Sequence, residues 1–495
     1  MVRARKGIDD NERQLKKLET MHVSPWLTLT VLAIAEFAVV LDVTIVNVAL
    51  PHIAAGLKFS ASSLQWVIGA YTLVFGGFLL LGGRVADLFG RRKLFSIGLV
   101  LFGLASFGGG MASSSGMLVV MRVMQGIGAA LLAPAALSIV TVTFSHGRER
   151  NIAMGIWGSL AGLGGTLGVV AGGLLVDALS WRWVFFVNVP IVLLTILLTP
   201  VFVRESRVKN TSKGTFDVLG ALLGTSGLLA LVFGIVRAEP LGWSSAEVIT
   251  LLLGAVIILG LFVVVESRSV DPLVPLSMFR SRGFSAAIVI LGLNGSAFLS
   301  MFFLTAIFLQ EVRGDSALEA GVQFLPMGIA AVLTAVATSQ LVTRVGTRLV
   351  QLISATLSIV GLGLLSRAGV EGSYATTILP GLLFFGAGII GVGVSAQIVA
   401  LVDIKHQYAG SASGVINAFY QVGGALGLAI VTTLSSSRVT SALLHGTSRS
   451  HALADGYSEG ILVAVGFALL SLALTLVSPR TKPSTEQIQD AIGSA

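Results

Sequence analysis

The first long apolar run of the chain covers residues 27–50 and reads LTLTVLAIAEFAVVLDVTIVNVAL. It is long enough to cross a bilayer as a helix, because a span needs about 20 mostly apolar residues. A secretory signal peptide is the competing interpretation. The run is too long for the apolar core of such a peptide, and it contains Glu36 and Asp42. We therefore expect it to remain as the first membrane-spanning helix.

Similar apolar runs continue to the end of the chain. Of the 495 residues, 54% are hydrophobic and only 11% are charged, whereas soluble domains usually carry about a quarter charged residues. A soluble fold could not bury this much apolar surface, so the chain is predicted to be an all-α integral membrane protein. The fourteen predicted spans lie near residues 27–50, 64–83, 94–112, 117–143, 152–176, 183–203, 217–237, 247–266, 284–309, 320–343, 349–367, 375–401, 410–434 and 459–478.

Lysine and arginine are distributed unevenly between the two sets of loops. If residues 1–26 lie in the cytoplasm, the cytoplasmic segments contain 24 of the 32 Lys and Arg residues and the outer loops contain 7. Cytoplasmic loops of membrane proteins carry this excess, so both termini are predicted to be cytoplasmic. The net charge of +8 is then a signal of topology and does not indicate a nucleic-acid partner.

The chain also repeats itself. Gly164–Gly168 in the fifth span recurs as Gly423–Gly427 in the thirteenth, and Gly155 and Gly414 keep the same offset of 259 residues. Duplicated halves with a substrate site between them are a common plan for transporters. The predicted architecture is two six-helix bundles plus two inserted helices, with an N-terminal arm (1–26), the first bundle (27–203), a linker with the two inserted helices (204–282), the second bundle (283–478) and a C-terminal tail (479–495).

Two carboxylates lie well inside a predicted span, and both are in the first helix. A carboxylate at mid-membrane costs at least ~2.5 kcal/mol on insertion scales, so it needs a partner or a function. Glu36 and Asp42 are six residues apart, about 240° around a helix, and should face different neighbours. The polar positions around Asp42 indicate a face toward a cavity. We therefore predict Asp42 as the proton-binding residue and Glu36 as the second candidate, with a structural pair between a carboxylate and an arginine as the alternative.

Arg122 is the complementary charge inside the fourth predicted span. Gln125, Gly126 and Ala129 follow it along one helix face. Arg122 could pair with either carboxylate and release it on protonation. Alternatively, its long side chain could simply reach the outer membrane surface.

The connection between the second and third spans, residues 83–93, reads GRVADLFGRRK. Gly90 permits a tight turn, and Asp87 is expected near a helix N-terminus, where the helix dipole favours a negative charge. Such a cluster could clamp two helices in one conformation and release them in another, or it could only set the topology. The residues predicted to act in the conformational change are Gly83, Asp87, Gly90, Arg91 and Arg92, with Gly168, Gly172 and Gly173 letting the two halves rock closely against each other.

Aromatic and polar residues of several spans could line a substrate cavity. Amphipathic cavities with aromatic side chains and few charges suit bulky lipophilic ligands, although each residue taken singly also fits ordinary helix packing. The candidates are Asn47, Gln65, Trp66, Tyr71, Gln125, Asn294, Phe298, Phe302, Asn417, Tyr420 and Gln421.

The sequence shows no pattern of residues that would make an enzyme. Residues 386–391, GAGIIG, fit the dinucleotide fingerprint, but they lie in an apolar span with no preceding strand. A phosphate-binding GxxxxGK[ST] is absent from the sequence, which also contains no cysteine, and its six histidines do not show metal-ligand spacing. We therefore predict no cofactor and no metal site.

Several of these segments resemble the major facilitator superfamily, in particular its fourteen-helix branch of drug:proton antiporters. Val169 stands where the fifth-helix motif normally has proline, and Tyr420 where a basic residue is common. The segments that carry the resemblance are residues 41–51 (first-helix motif), 83–93 (loop motif), 122–129 (fourth-helix motif tied to proton coupling), 164–173 (antiporter motif), 180–190 (SWRWVFFVNVP), and Ala412-Ser413-Gly414 with Asn417, Gln421 and Gly423-Gly424.

The resemblance implies a proton-coupled secondary active exporter of lipophilic drugs or toxic compounds, monomeric, in a bacterial cytoplasmic membrane. It would work by alternating access with the proton gradient as its energy source. Neutral or monocationic substrates are expected, because spans 9–14 lack the extra buried carboxylate of some relatives that export divalent cationic drugs. A dedicated exporter of one metabolite, antibiotic or lipid is the alternative. A non-transporting sensor or scaffold would need a large soluble domain, and no stretch between the spans is long enough for one.

Overall fold

The computed structural model describes residues 24–59, 66–144, 147–206, 217–269, 272–402, 404 and 408–477, and within these ranges every regular element is a helix. We number the helices by span, so that four labels join two consecutive segments. They are α1 (Pro25–Leu57), α2 (Trp66–Phe89), α3 (Arg91–Gly110), α4 (Ser115–Thr143), α5 (Gly147–Ala178), α6 (Trp183–Phe186 and Asn188–Phe202), α7 (Val218–Leu241), α8 (Ala246–Arg268), α9 (Arg282–Ile307 and the π-helical Phe308–Val312), α10 (Ala317–Gln323 and Leu325–Val345), α11 (Thr347–Leu365), α12 (the π-helical Tyr374–Ile378 and Leu379–Val402), α13 (Ala409–Leu444) and α14 (Arg449–Val477).

The helices have the length and composition of membrane spans. In the described part of the chain, thirteen are long and apolar enough to cross a bilayer. The remaining one, α7, has a shorter apolar stretch, Leu219–Ile235, but its 24 residues extend over about 36 Å. The predicted all-helical membrane class is confirmed.

The helices form two bundles with an inserted pair beside them. In the first bundle α1 packs on α5, and α4 packs on α2 and α3; in the second, α9 packs on α13 and α11 on α12. The bundles meet where α5 lies against α10 and α2 against α13. The inserted helix α7 pairs with α8 and also contacts both α2 and α13, so it lies along the seam between the two halves.

The same hydrogen bond, from a side-chain hydroxyl to a glycine carbonyl oxygen of a neighbouring helix, occurs in both halves. Thr44 on α1 donates its hydroxyl to the carbonyl oxygen of Gly164 on α5 over 3.0 Å, and Ser296 on α9 donates to that of Gly423 on α13 over 2.7 Å. Thr44 and Ser296 therefore occupy equivalent positions, and so do the residues two places earlier, Asp42 and Asn294. The repeat seen in the sequence is thus a repeat of packing.

The glycines of α5 lie differently from our expectation. A Cβ on Gly168 would overlap the Thr44 hydroxyl, and one on Gly172 would lie 3.1 Å from the Ile45 carbonyl oxygen. Both glycines therefore permit close packing of α5 on α1 inside the first half. Of the three α5 glycines predicted to act between the halves, Gly173 is the one that meets the other half, at 3.4 Å from the Leu318 Cα atom.

Three helices run well past their predicted ends. α1 continues to Leu57, α2 to Phe89 and α13 to Leu444, because apolarity marks the membrane part of a helix but not its whole length. Asp87 therefore lies in the last turn of α2. Our expectation that it lies near the N-terminus of the helix that contains it was wrong.

Candidate functional site

The Asp42 carboxylate is the centre of a buried polar cluster in the first half. Asp42 on α1 is 0% exposed and Arg122 on α4 is 1% exposed. Arg122 Nη1 donates to Asp42 Oδ2 over 2.5 Å. The sequence left the partner of Arg122 open between Asp42 and Glu36; the structure places it on Asp42.

Two amide side chains complete the carboxylate's hydrogen bonds. Gln125 Nε2 on α4 and Asn188 Nδ2 on α6 each donate to Asp42 Oδ1 over 2.9 Å. Both amides also donate to the hydroxyl of Ser106 on α3, over 2.7 and 3.3 Å. Four helices thus converge on one carboxylate, and all of these side chains are buried.

The guanidinium of Arg122 is held on several sides. Its Nε donates to the Val67 carbonyl oxygen over 2.7 Å and its Nη1 to Gln125 Oε1 over 3.1 Å. Its Cζ lies 4.4 Å from the ring centroid of Tyr71, a distance that suits a cation–π contact. The side chain therefore points into the cluster and does not extend to the membrane surface.

The arrangement is that of an ionised carboxylate. Asp42 accepts three hydrogen bonds, one from a guanidinium and two from amides. A protonated carboxyl group needs an acceptor for its own O–H. Proton binding at Asp42 would weaken these bonds, above all the one from Arg122, which is the charged donor.

Glu36 stands apart from this cluster. It is half-buried, and its Oε2 is a buried atom without a hydrogen-bond partner in the described part of the chain. The two carboxylates of α1 do face different surroundings, as their spacing indicates. Which of them carries the proton stays a prediction.

A second polar cluster joins the two halves at the α2–α3 turn. Asp87 accepts two bonds from Arg91, of 3.1 and 2.7 Å, inside the first half. It also accepts the backbone N–H groups of Gly410 and Ser411, each over 3.1 Å, from the second half. These N–H groups belong to the first turn of α13, where the helix dipole favours a negative charge. The dipole that stabilises Asp87 thus comes from the opposite half.

The backbones of α2 and α13 touch beside this carboxylate. A Cβ on Gly83 would lie 3.0 Å from the carbonyl carbon of Gly410 and closer still to its oxygen. We call the end of the bundle that carries the α2–α3 turn the basic end. Glycine at residue 83 is required for the halves to close there.

A further bond between the halves lies at the same end. Arg150 Nη2, in the first turn of α5, donates to the Leu401 carbonyl oxygen near the end of α12 over 2.8 Å. A cation at a helix C-terminus is favoured by the dipole. The basic end is therefore closed by two charge–helix contacts of opposite sign.

The turn itself is fixed by Glu205, which follows α6. Its carboxylate accepts the backbone N–H groups of Arg92 and Lys93, each over 3.1 Å. Gly90 has a φ of 107°, a conformation open to glycine. Gly346 at the α10–α11 turn also has a positive φ, 85°. The predicted tight turn is therefore present in both halves.

The predicted cavity residues do not form one group. Tyr71 and Gln125 belong to the Asp42 cluster, and Trp66 stacks on Phe233 of α7 with ring centroids 5.6 Å apart. Phe298 and Phe302 stack on each other at 6.1 Å on α9. The remaining candidates are Asn294 on α9, near Gly393 of α12, Asn47, exposed on α1, Asn417, Tyr420 and Gln421, half-buried on α13, and Gln65, which lies outside the described residues.

Sequence reasoning missed several residues of these clusters. Ser106, Glu205 and Arg150 have no sequence signal that separates them from ordinary loop or helix residues. Asn188 lies within residues 180–190, a stretch quoted above only for its resemblance. No group of three or more potential metal ligands occurs among the residues that the structure describes.

Comparison with known sequences identifies the family. The Major Facilitator Superfamily profile matches residues 32–428. The puromycin resistance protein pur8 of Streptomyces alboniger is 39% identical over 471 residues, covering 93% of each chain. The cephamycin export protein CmcT of Amycolatopsis lactamdurans is 35% identical over 466 residues, again covering 93% of each.

Comparison with solved structures gives the same fold. The proton:xylose symporter XylE, bound to 6-bromo-6-deoxy-D-glucose, superimposes with a TM-score of 0.60 at 16% identity, covering 94% of this chain and 98% of that one. The human organic anion transporter MFSD10 superimposes with a TM-score of 0.62 at 16% identity, covering 91% and 99%. The chain belongs to the major facilitator superfamily, and it is a multi-pass membrane transporter.

Proposed function

We propose that the protein exports lipophilic small molecules across a bacterial cytoplasmic membrane in exchange for protons. The observation that carries this proposal is the buried Asp42–Arg122 pair. A proton and the Arg122 guanidinium compete for the same carboxylate, so proton binding would free Arg122 and rearrange α1 against α4. Removing one partner of a buried ion pair typically costs about 3–5 kcal/mol, which is enough to bias a conformational equilibrium.

In alternating access, the basic end would open and close. We assign this end to the cytoplasm because of the distribution of Lys and Arg. The contacts of Asp87 with α13 and of Arg150 with α12 close that end in this conformation. Both must break for a substrate to enter from the cytoplasm. A protonation change at Asp42 would alter how α1 and α4 pack and so the balance between closed and open forms. The Asp42 cluster and the contacts that close the basic end are thus two parts of one mechanism.

The substrate class is proposed from two features. Phe298 on α9 stacks on Phe302, and its ring lies 3.7 Å from the Cβ position of Gly165 on α5. Such aromatic surfaces suit apolar ligands. The relatives are named for resistance to, or export of, puromycin and cephamycin. We propose antibiotic-like organic molecules, transported by a monomer.

A dedicated exporter of one compound is the second candidate. It is favoured by relatives named for single antibiotics, such as the lincomycin resistance protein of Streptomyces lincolnensis, which is 35% identical over 417 residues. The multidrug resistance protein Stp of Mycobacterium tuberculosis, 34% identical over 423 residues, favours breadth. Resistance of a drug-sensitive host expressing the protein to many unrelated compounds supports the first candidate, and resistance to one supports the second.

Efflux of a fluorescent lipophilic dye from energised cells tests the proposal. We expect the wild-type protein to export the dye and an uncoupler to stop it. Asp42→Asn should remove this efflux at unchanged membrane expression. Asp315→Asn is the matched control, since Asp315 makes its contacts within the second half. Uncoupler-resistant efflux, or full efflux by Asp42→Asn, would contradict proton coupling through Asp42.

A further inference from the structure

The inserted helices carry a pair of carboxylates that the transport mechanism does not use. Asp217 caps the start of α7, where its Oδ1 accepts the Gly220 N–H over 2.7 Å. Glu266 lies in the last turn of α8 and is 3% exposed. Its Oε2 accepts the backbone N–H of Val274 over 3.1 Å. Each carboxylate thus has one satisfied oxygen.

The other oxygen of each carboxylate lies beside Gly220. Glu266 Oε1 and Asp217 Oδ2 are both buried and have no hydrogen-bond partner in the part of the chain that is described. They lie 2.6 and 2.9 Å from one point, the Cβ position of Gly220. Buried acceptors are nearly always satisfied, and a proton on one carboxylate would supply the missing donor for the other.

We propose that Glu266 and Asp217 bind one proton between them, and that this proton holds the basic end closed. In the bound state one carboxyl group donates its O–H to the facing oxygen of the other. In the unbound state two buried carboxylates repel each other. The site is distinct from Asp42 and belongs to the inserted pair of helices.

A chain of hydrogen bonds connects this pair of carboxylates to Asp87, which closes the basic end. Glu266 holds the N–H of Val274, and the neighbouring Leu273 carbonyl oxygen accepts the Ser411 hydroxyl over 2.9 Å. Ser411 in turn gives its backbone N–H to Asp87. Leu273 and Val274 are 1% and 3% exposed, so the connection between α8 and α9 is packed tightly against the start of α13. Separation of the carboxylates would pull this connection away from the gate.

The charges around the pair set the direction of the effect. Arg84 on α2 and Asp217 on α7 are the described charged groups whose fields act on Glu266. Arg268 and Arg280, on either side of the α8–α9 connection, are exposed, and the first turn of α13 presents only backbone and hydroxyl groups to it. Proton loss adds one negative charge between α7 and α8. A lower cytoplasmic pH should therefore favour the closed form.

Distance measurements between spin labels can detect this effect. The chain contains no cysteine, so labels can be attached at Lys93→Cys on α3 and Leu349→Cys on α11, both exposed residues of opposite halves. The measurement is made with Asp42→Asn in the background, which removes titration of the central site. We expect the open fraction to rise with pH, by up to about tenfold per pH unit for one linked proton.

Two amide variants test the site from opposite sides. In Glu266→Gln, the amide can donate to Asp217 and still accept from Val274, so the gate should stay closed at every pH. Asp217→Asn should give the same result, since its amide can donate to Glu266. Glu247→Gln is the control and should keep the pH response, because Glu247 is exposed at the other end of α8, where it pairs with Arg237.

The outcomes separate this proposal from the proposed transport function. Loss of the pH response in both amide variants supports the site, and an unchanged response in either one overturns it. If one variant fails to fold, the other decides. A protonated-carboxyl band in infrared spectra that persists unchanged in Glu266→Gln and Asp217→Asn would also overturn it. Asp42-dependent dye efflux, measured in the protein with its native Glu266 and Asp217, tests the transport proposal separately, and its absence would count against that proposal alone.

Discussion

The Asp87 carboxylate makes one of the two charge–helix contacts that close the basic end, and Asp87→Asn tests its contribution. The bonds from Gly410 and Ser411 to Asp87 cross between the halves and must break on opening, whereas those from Arg91 stay within one half. An asparagine keeps the shape but offers one acceptor oxygen and no charge. One bond between the halves is then lost, and the other becomes neutral.

The magnitude follows from these two bonds. Hydrogen bonds to charged groups contribute about 1.5–3 kcal/mol each, and neutral ones about 1 kcal/mol. The substitution should therefore destabilise the closed form by roughly 2–5 kcal/mol relative to the open form. Since 1.4 kcal/mol changes an equilibrium tenfold, the closed-to-open ratio should fall roughly 30- to 4,000-fold.

The same pair of labels, at Lys93→Cys and Leu349→Cys, measures this ratio. Wild-type protein should show mainly the short distance, and Asp87→Asn should show a second, longer one. Asp315→Asn, remote from the basic end, should match the wild type. A distance distribution that Asp87→Asn leaves unchanged would refute the role of Asp87 in closing the halves, because no other group replaces its bonds to α13.

Three further substitutions test particular contacts. Gly83→Val places a branched side chain against the Gly410 carbonyl group, so the basic end should not close and dye efflux should be lost at normal expression. Arg150→Gln weakens a charged bond to Leu401; we expect roughly a tenfold shift toward the open form in the label distances, a loss of about 1.4 kcal/mol. Asn188→Leu removes one hydrogen-bond donor from Asp42 without changing the charge. It should shift the pH profile of dye efflux while the cells still export the dye. An unchanged profile would show that Asn188 does not influence Asp42.

The sequence predicts the fold well because membrane spans are simple signals. A run such as residues 27–50 needs only length and apolarity to be identified, and the distribution of Lys and Arg gives an orientation. The ends of the helices are less predictable. Outside the bilayer a helix such as α2 or α13 continues through polar residues, and only capping and tertiary contacts decide where it ends.

Only part of the Asp42 cluster could be predicted from the sequence. Asp42 and Arg122 are visible because charges inside spans are costly and therefore rare. Ser106 and Asn188 are neutral and could lie on any face of their helices. Their convergence on Asp42 depends on how α3 and α6 pack, which one sequence does not specify.

The relation between the halves was the least predictable. The charged loop with Asp87 suggested a clamp, but its partner is a pair of backbone N–H groups, at Gly410 and Ser411, which leave no mark in side-chain chemistry. Gly168 and Gly172 suggested movement between the halves, yet small residues permit close approach to any neighbour. Here that neighbour is α1, within the same half.

The repeat also shows where the halves diverge. Asp42 and Asn294 occupy equivalent positions, and the second has lost the ionisable group. Among the described residues of α9–α14, no buried carboxylate takes its place. The two bundles therefore share packing but differ in chemistry, and the proposed proton coupling through Asp42 would belong to the first half.

Proton movement in inverted membrane vesicles tests directly whether export is coupled to protons through Asp42. Vesicles are acidified inside, a series of lipophilic compounds is added, and the internal pH is followed for wild-type protein, Asp42→Asn and the control Asp315→Asn. The account predicts that compounds dissipate the proton gradient with wild type and with Asp315→Asn, but not with Asp42→Asn at equal protein levels. Equal dissipation by Asp42→Asn would contradict the assignment of the coupled proton to Asp42.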